Sequence, residues 1–493
     1  MHLITRMSPS TTRQGMRPSL ALSGQTVSDH WQRISRPHFT PILILNDDCL
    51  LTIFRLYRPA LLDEEEVSDD RVWEGGDWGR ERWWNKLTHV CKRWRYLILG
   101  SAPYLSLSLV CTYGTPVAEM LAHSPPLPLT IDHLDMDRNI NAEEEERIML
   151  ALRCCDRVRR IRLVMPGSNL QKLIMAMDEE FPILEFLLIA PSTDHDADLI
   201  LPHAFQAPSL RHLTADALAL PVGSPLLMTQ VGLVTLNLNF IPSSAYFTPS
   251  ELLQRLLHMP QIETLTISFH FPAPNHDFQQ LPTSDMARIT LPNLFWFGFA
   301  GFNGYLEEFL ACVSTPLLKK LDIMYTDHVL PFSVPHLGQF VTRTKNLRDN
   351  GAALAFQESS VVLWVKPLVA GAHALRVRIL GRYLNFQAVL AARVVSFLSP
   401  VLSVVTDLTL HCDHTGFSAE WPHEADLSHW REILRPFSNV NTLVVHSDLV
   451  RKISRCLQSD DGESAMDLLP ELNQLGCFGR DESDGELDAF ATS

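Results

Sequence analysis

The chain lacks the signatures that place bond chemistry in a fold. It has no G-x-x-x-x-G-K or G-x-G-x-x-G run to cradle phosphate, no H-E-x-x-H pair and no G-x-S-x-G nucleophile turn. No C-x-x-C pair occurs among nine cysteines; only Cys154 and Cys155 are adjacent. An odd count without framework spacing argues against a disulfide scaffold and for a reducing compartment, cytoplasmic or nuclear. No apolar run reaches the length of a bilayer span; the longest, near Val361–Ala370, is broken by Lys366 and Pro367. Basic residues are also short, 41 against 56 acidic, for a formal net charge of −15. That balance speaks against nonspecific nucleic-acid binding, and long-range steering from it favours basic partners.

What is present is a large apolar fraction, 46% of 493 residues, enough for two or more structural units. Two blocks stand out near the start. In Leu45–Phe54 and just beyond, Leu50, Ile53, Phe54 and Tyr57 recur at i, i+3, i+4, i+7, one face of a helix. Asp47 and Asp48 precede that stripe, where short acids suit a helix N-terminus. In Trp84–Tyr96, the residues Trp84, Leu87, Cys91, Trp94 and then Ile98 step by three and four, widened by Val90 and Leu97. Lys92, Arg93 and Arg95 fall on the opposite, wet side. The apolar stripes are wider than a helical hairpin can hide on its own.

The opening Leu45-Asn-Asp-Asp-Cys-Leu-Leu-Thr-Ile-Phe54 and the close Val90-Cys-Lys-Arg-Trp-Arg95 resemble an F-box, the helical motif that docks on the Skp adaptor of cullin–RING ubiquitin ligases. Leu109–Val117 and Leu127–Ile131 are similar to the continuation found in large fungal F-box families. Asn46 stands where the motif usually has proline, and an acidic insert, 63–82, separates the halves. The resemblance implies that Leu45, Leu50, Ile53, Phe54, Leu87, Val90, Cys91 and Trp94 face the adaptor, some of them forming the hairpin's own core instead. The plain alternative is a helical hairpin packed on its own domain.

From Val158 onward an apolar-x-x-apolar-x-apolar block keeps returning: Val158/Ile161/Leu163, Leu184/Leu187/Ile189, Leu210/Leu213/Ala215, Leu233/Leu236/Leu238, Ile262/Leu265/Ile267, Leu294/Phe297/Phe299 and Leu318/Leu321/Ile323. The starts are 26, 26, 23, 29, 32 and 24 residues apart. After a gap the block recurs at Val405/Leu408/Leu410, Val440/Leu443/Val445 and Leu472/Leu475/Cys477. That period belongs to leucine-rich-repeat solenoids, each unit a short strand with a helical or irregular return. Helices are expected over Asn169–Phe181, Thr248–Met259 and Tyr305–Val313, and a β-hairpin from Ala352–Phe356 and Val361–Val365 where the register lapses. The usual asparagine ladder is missing; Ser192, Leu218, Ile241, His270, Phe302 and Thr326 occupy its positions. This is similar to the degenerate repeats of fungal F-box proteins, with a non-solenoid α/β domain as the alternative.

The expected architecture is α+β to α/β: a disordered tail over 1–40, an F-box-like helical domain over 41–110, a leucine-rich-repeat-like solenoid over 111–480 and a disordered acidic tail over 481–493. Residues Arg6, Arg13, Arg17, Arg33 and Arg36, with Asp29 the only acid of the first 40, match both a transit peptide and a disordered tail; an adaptor-docking motif fits the tail. No metal or other cofactor is expected. His411, Cys412, Asp413 and His414, with His423 and His429, form the densest ligand-type cluster, yet no second pair has ligand spacing, and histidines in a surface turn account for it. In a repeat of this kind the variable strand positions point to the concave face, which makes His212, Asp216, Asn237, Asn239, Trp296, Asp322, Met324, His411 and His446 the candidate substrate-binding residues. Trp296 is either the anchor or a core residue among Phe295, Phe297 and Phe299. The resemblance implies a non-enzymatic receptor that joins an unidentified protein substrate to the Skp adaptor and, through it, a cullin; the alternative is a repeat scaffold unconnected with ubiquitin.

Overall fold

The structure, a computed structural model, describes residues 44–58, 83–134, 140–192, 199–220, 224–228, 231–270, 288–326, 332–366, 373–381, 384–412, 427–457 and 468–479. The expected tails 1–40 and 481–493, the insert 63–82, and Asp413, His414 and His423 lie outside those residues.

Helix α1 (Asp47–Tyr57) starts on Asn46, whose side chain accepts from the Cys49 N–H at 2.8 Å. The residue that departs from the F-box pattern is thus a good cap, and Asp47 and Asp48 sit in the first turn, where the helix dipole favours them. The second block is not one continuous helix. It divides into α2 (Trp83–Thr88) and α3 (Lys92–Gly100), because His89 and Val90 close three-residue turns onto Lys86 and Leu87 and Cys91 then turns extended. Cys91 caps α3, its Sγ accepting from the Trp94 N–H at 3.5 Å. A short α4 (Ala102–Leu105) follows. Leu50, Phe54, Trp83, Trp84, Trp94, Ile98 and Leu105 pack together, with the Phe54 and Trp94 rings edge to face at 4.8 Å, and the cluster continues through Leu107 and Leu109 into the sheet. Arg93 is not merely solvated. It binds Asp47 at 2.7 Å and the Leu45 carbonyl at 2.6 Å, tying the two blocks across 46 and 48 residues of sequence.

The rest is mixed α/β, dominated by one fifteen-stranded sheet with a solenoid-like repeat. Its strands are β1 (Leu109–Cys111), β2 (Leu129–Leu134), β3 (Val158–Met165), β4 (Phe186–Pro191), β5 (His212–Asp216), β6 (Thr235–Ile241), β7 (Thr264–Phe269), β8 (Trp296–Gly301), β9 (Lys320–Tyr325), β10 (Gly351–Phe356), β11 (Ser360–Lys366), β12 (Leu375–Leu380), β13 (Asp407–Cys412), β14 (Thr442–His446) and β15 (Gln474–Phe478). β1 to β9 lie side by side in chain order and all pair in parallel. Nine of the ten repeat blocks put all three apolar residues in the core. The tenth, Leu472/Leu475/Cys477, lies on the terminal strand, which has a neighbour on one side only, and Leu475 stays exposed. The sheet also begins earlier than the repeat pattern, at β1 and β2, where Leu127, Leu129 and Ile131 are buried in the same way.

The missing asparagine ladder is compensated in two ways. Ser192, His270 and Thr326 give their backbone N–H to Met165, Ile241 and Gly301 carbonyls of the preceding unit at 2.9–3.1 Å. Leu218, Ile241 and Phe302 are instead buried, so the position becomes an apolar seam. Return helices cover the core face, among them α5 (Gly167–Met175), α6 (Pro249–Leu256), α7 (Asn303–Cys312), α8 (Pro335–Arg343) and α9 (Leu384–Phe397). Thr248 and Glu251 form a capping box on α6, and Pro249 occupies its first turn.

Order breaks once. After β9 the spatial sequence is β9-β12-β11-β10-β13, with β11 antiparallel to both neighbours. The expected hairpin is β10–β11; the third strand of this meander, β12, was not read from the repeat pattern. Reversing three strands forces two connections to span three inter-strand steps, roughly 14 Å each. The second connection contains α9, whose 14 residues span about 21 Å. Where α8 meets α9, a Cβ on Gly338 would lie 2.5 Å from the Phe397 carbonyl oxygen, so only glycine permits the approach. Glu307 of α7 is buried and accepts from the His336 and Leu337 N–H groups at 2.6 and 2.9 Å, capping α8. Burial raises its pKa to about 7 against the pull of those donors.

Candidate interaction surfaces

The N-terminal helices sort the expected adaptor contacts into two sets. Leu50, Phe54 and Trp94 are buried in the chain's own core, at 0%, 1% and 8% exposure, and are the members of the expected set that form the module's own core. Leu45, Leu87 and Cys91 are half-buried against this core. Ile53 and Val90 are exposed, at 41% and 59%. At about 100° per residue, Cys49, Ile53, Leu56 and Tyr57 share the flank of α1 next to its buried face. All four are exposed, and Leu56, missed by the sequence reading, is the most open at 81%. The Tyr57 ring stands 6.3 Å from Trp83, which fixes this flank against α2.

The second surface is the sheet face turned away from the repeat core. All nine expected residues lie on strands at positions that alternate with the buried set. Register aligns them in three rows. His212 and Trp296 occupy the first; Asn237 and Asp322 the second; Asp216, Asn239, Met324, His411 and His446 the third. Trp296 is half-buried on this face, whereas Phe297 and Phe299 are in the core. The residues are not one site. His212 reaches the Thr235 hydroxyl at 3.2 Å, Asn237 the Thr214 hydroxyl at 3.4 Å, and Asn239 the buried Asp216 carboxylate at 2.8 Å. His411 and His446 lie far along the sheet, each edge-on to Phe478 at 5.0 and 5.2 Å.

Sequence reasoning missed several groups on the same face. Arg160 lies 4.7 Å over the Phe186 ring, Arg162 binds the buried Asp132 at 3.2 Å, and Lys320 lies 5.8 Å over the Trp296 ring. Arg376 binds Asp322 through two nitrogens, with Nε at 2.8 Å. Alternation within each strand, as in Leu375-Arg-Val-Arg-Ile379, was the available signal. Among the described residues no group of three or more His, Cys, Asp or Glu side chains could hold a metal ion. His411 and Cys412 point to opposite faces, half-buried and buried. None of the nine cysteines forms a disulfide. No described helix is long and apolar enough to cross a membrane.

Comparison with known proteins adds little. No family model matches the chain. No curated protein matches it. Among solved structures it is similar to the leucine-rich repeat-containing protein LegL7 from Legionella pneumophila, at 11% identity and a TM-score of 0.27, over 78% of this chain and 96% of that one.

Proposed function

We propose that this chain is a non-catalytic substrate receptor, in which the N-terminal helices dock on the Skp adaptor of a cullin–RING ubiquitin ligase and the long sheet holds a protein substrate. The observation that carries the reading is the open flank Cys49/Ile53/Leu56/Tyr57 with Val90, beside a module whose own core is already filled by Leu50, Phe54, Trp94 and Ile98. A helix that has satisfied its core and still presents Ile53 and Leu56 to solvent is suited to a second chain. Burying each such aliphatic side chain is worth about 1.5–3 kcal/mol. The receptor performs no bond chemistry: it raises the effective concentration of substrate near the ubiquitin-loaded enzyme. It needs no metal or cofactor, binds neither nucleic acid nor membrane, and works in the cytoplasm or nucleus.

The test is co-purification of the tagged chain with the Skp adaptor, beside an Ile53→Asp/Leu56→Asp variant. The wild type retains the adaptor, and the variant loses it at least tenfold while keeping its thermal midpoint. A wild type that fails to retain the adaptor refutes the ligase reading and leaves a repeat scaffold without ubiquitin transfer.

A further inference from the structure

Charge is distributed unevenly along the chain. Residues 328–406 hold eight basic residues against two acids, Asp349 and Glu358, a local net of +6 that leaves −21 on the remainder. Arg376 and Arg378 lie on the sheet face, but Arg343, Lys345, Arg348 and Arg393 belong to the helical side, and all four are exposed. Neither acid offsets them. Asp349 turns its Oδ1 onto the Asn350 and Gly351 N–H groups at 2.7 and 3.4 Å. Glu358 follows the far end of the six-residue β10, about 20 Å away. Among the described residues Arg343, Lys345 and Arg393 have no ion-pair partner.

These cations flank an open cleft. Helices α8 and α9 meet backbone to backbone where Gly338 faces the Phe397 carbonyl. Beside that contact lies a cleft of about 360 Å³, walled on one side by Gln339, Thr342 and Arg343 of α8 and on the other by Phe397 and Pro400. Gln339, Arg343 and Pro400 are exposed, and Thr342 and Phe397 half-buried, so solvent reaches both walls. Gln339, Thr342 and Arg343 fall at i, i+3, i+4, one stripe of α8, and Arg393 stands at i−4 to Phe397, next to the aromatic wall. Arg348 donates Nη2 to the Thr342 carbonyl at 2.6 Å, which holds a second guanidinium on the rim. The helix dipole accounts for one cation in the last turn of α8, Arg343, but not for Arg348 and Arg393. Among the described residues no carboxylate lines the cleft.

We propose that this cleft docks an acidic polypeptide segment of a partner protein, an apolar side chain lying against Phe397 and a carboxylate about two residues away pairing with Arg343. The spacing comes from the helix. Gly338, where α8 meets Phe397, and Arg343 are five residues apart, about 7.5 Å along the axis, the span of roughly two residues of extended chain. An exposed guanidinium without a partner presents a planar fork that matches a carboxylate edge through two parallel bonds. A short acidic segment answers the local +6, whereas a long polyanion such as nucleic acid also meets the −21 of the remaining chain. The site lies on the helical layer, opposite the sheet face assigned to substrate, and does not rest on the ligase reading.

The test uses the full chain and three fluorescent peptide libraries built as X-x-Phe-x-X, with X glutamate, glutamine or lysine and small neutral residues elsewhere. Wild type binds the glutamate library at least tenfold tighter than the glutamine library, and the lysine library more weakly still. Arg343→Gln lowers the glutamate preference at least tenfold, and Arg393→Gln, on the other wall, lowers it in the same sense. Gln339→Trp fills the cleft and weakens glutamate-library binding at least tenfold. All three variants keep the thermal midpoint of wild type, because each replaced side chain is exposed. Equal binding of the glutamate and glutamine libraries by wild type, or an unchanged preference in both arginine variants, overturns the proposal. Binding that appears only once residues 480–493 are deleted overturns it in favour of the chain's own acidic segment, and a dimer that Arg343→Gln dissolves does so in favour of a second copy. Tighter binding of a single-stranded oligonucleotide than of the glutamate library overturns it as well.

Discussion

His133 gives the fold a defined acid lability. It lies on the core side of β2, in register with Leu163, buried and edge-on to the Tyr113 ring at 4.8 Å. Its Nδ1 is buried with no hydrogen-bond partner among the described residues. Burial disfavours the imidazolium and lowers the pKa from 6.5 to about 4. Between those values the unfolded chain takes up a proton that the folded chain refuses, so the contribution is full above pH 6.5 and is lost as pH falls toward 4. At about 1.4 kcal/mol per unit, the loss reaches roughly 2 kcal/mol at pH 5 and about 3 kcal/mol by pH 4. The assay is urea denaturation at about pH 7.5 and about pH 5 of wild type and His133→Leu. Other acid-linked changes are common to both proteins and cancel in the difference between them. The wild type loses roughly 2 kcal/mol more than the variant across that interval, whatever the substitution does at neutral pH. Equal losses in the two proteins would show that His133 accepts its proton in the folded state and that the burial argument is wrong.

Trp94→Ala removes the ring that packs on Phe54, next to Trp83, Trp84 and Ile98, and is expected to cost about 3–5 kcal/mol in chemical denaturation. An unchanged midpoint would mean that α1 and α3 do not share a core. Gly338→Ala drives a methyl group into the Phe397 carbonyl and is expected to destabilise by about 1–3 kcal/mol, whereas Gly304→Ala, open to within 4 Å, serves as the neutral helix control. Equal stabilities of these two variants would show that α8 can move off α9 without penalty.

The repeat was legible because its signal is a burial requirement: Leu213, Leu236, Leu265 and their counterparts must all enter one core, and a period of 23 to 32 residues survives wide variation in the returns. The helical returns were legible for the same local reason, and the helix expected from Thr248 starts there in the structure. The face positions followed from strand alternation, so all nine candidate residues lie where expected. Their partners did not follow, since Asn239 meets Asp216 and Arg376 meets Asp322 across 23 and 54 residues of sequence. In the N-terminal module, periodicity identified an apolar stripe but not which side of it was already filled. Phe54 and Ile53 are adjacent in sequence and equally apolar, and only the packing of Trp94 separates core from open flank.

The segment least legible as a repeat is the one that changes the chemistry of the face. A solenoid built only from parallel units adds one strand per return and varies its surface one residue at a time. The meander β10–β12 instead inserts three strands at once, and pairing β11 antiparallel keeps the two-residue alternation intact, so Leu363, Val365, Val377 and Ile379 still enter the core. Its outer positions are then free to differ from the threonines and asparagines of β5 to β7, and they bring Arg376 and Arg378 beside Asp322 and Met324, with Trp364 next to Arg376. Gln387, fully buried, holds the arrangement by donating to the Gln357 and Gly381 carbonyls at 2.7 and 2.6 Å, which fixes the ends of β10 and β12 to the start of α9. Departures from local regularity concentrate where a protein needs something its scaffold cannot supply. Here the departure sets Arg376, Arg378 and Trp364 on a face that β6 and β7 line with threonine, asparagine and serine.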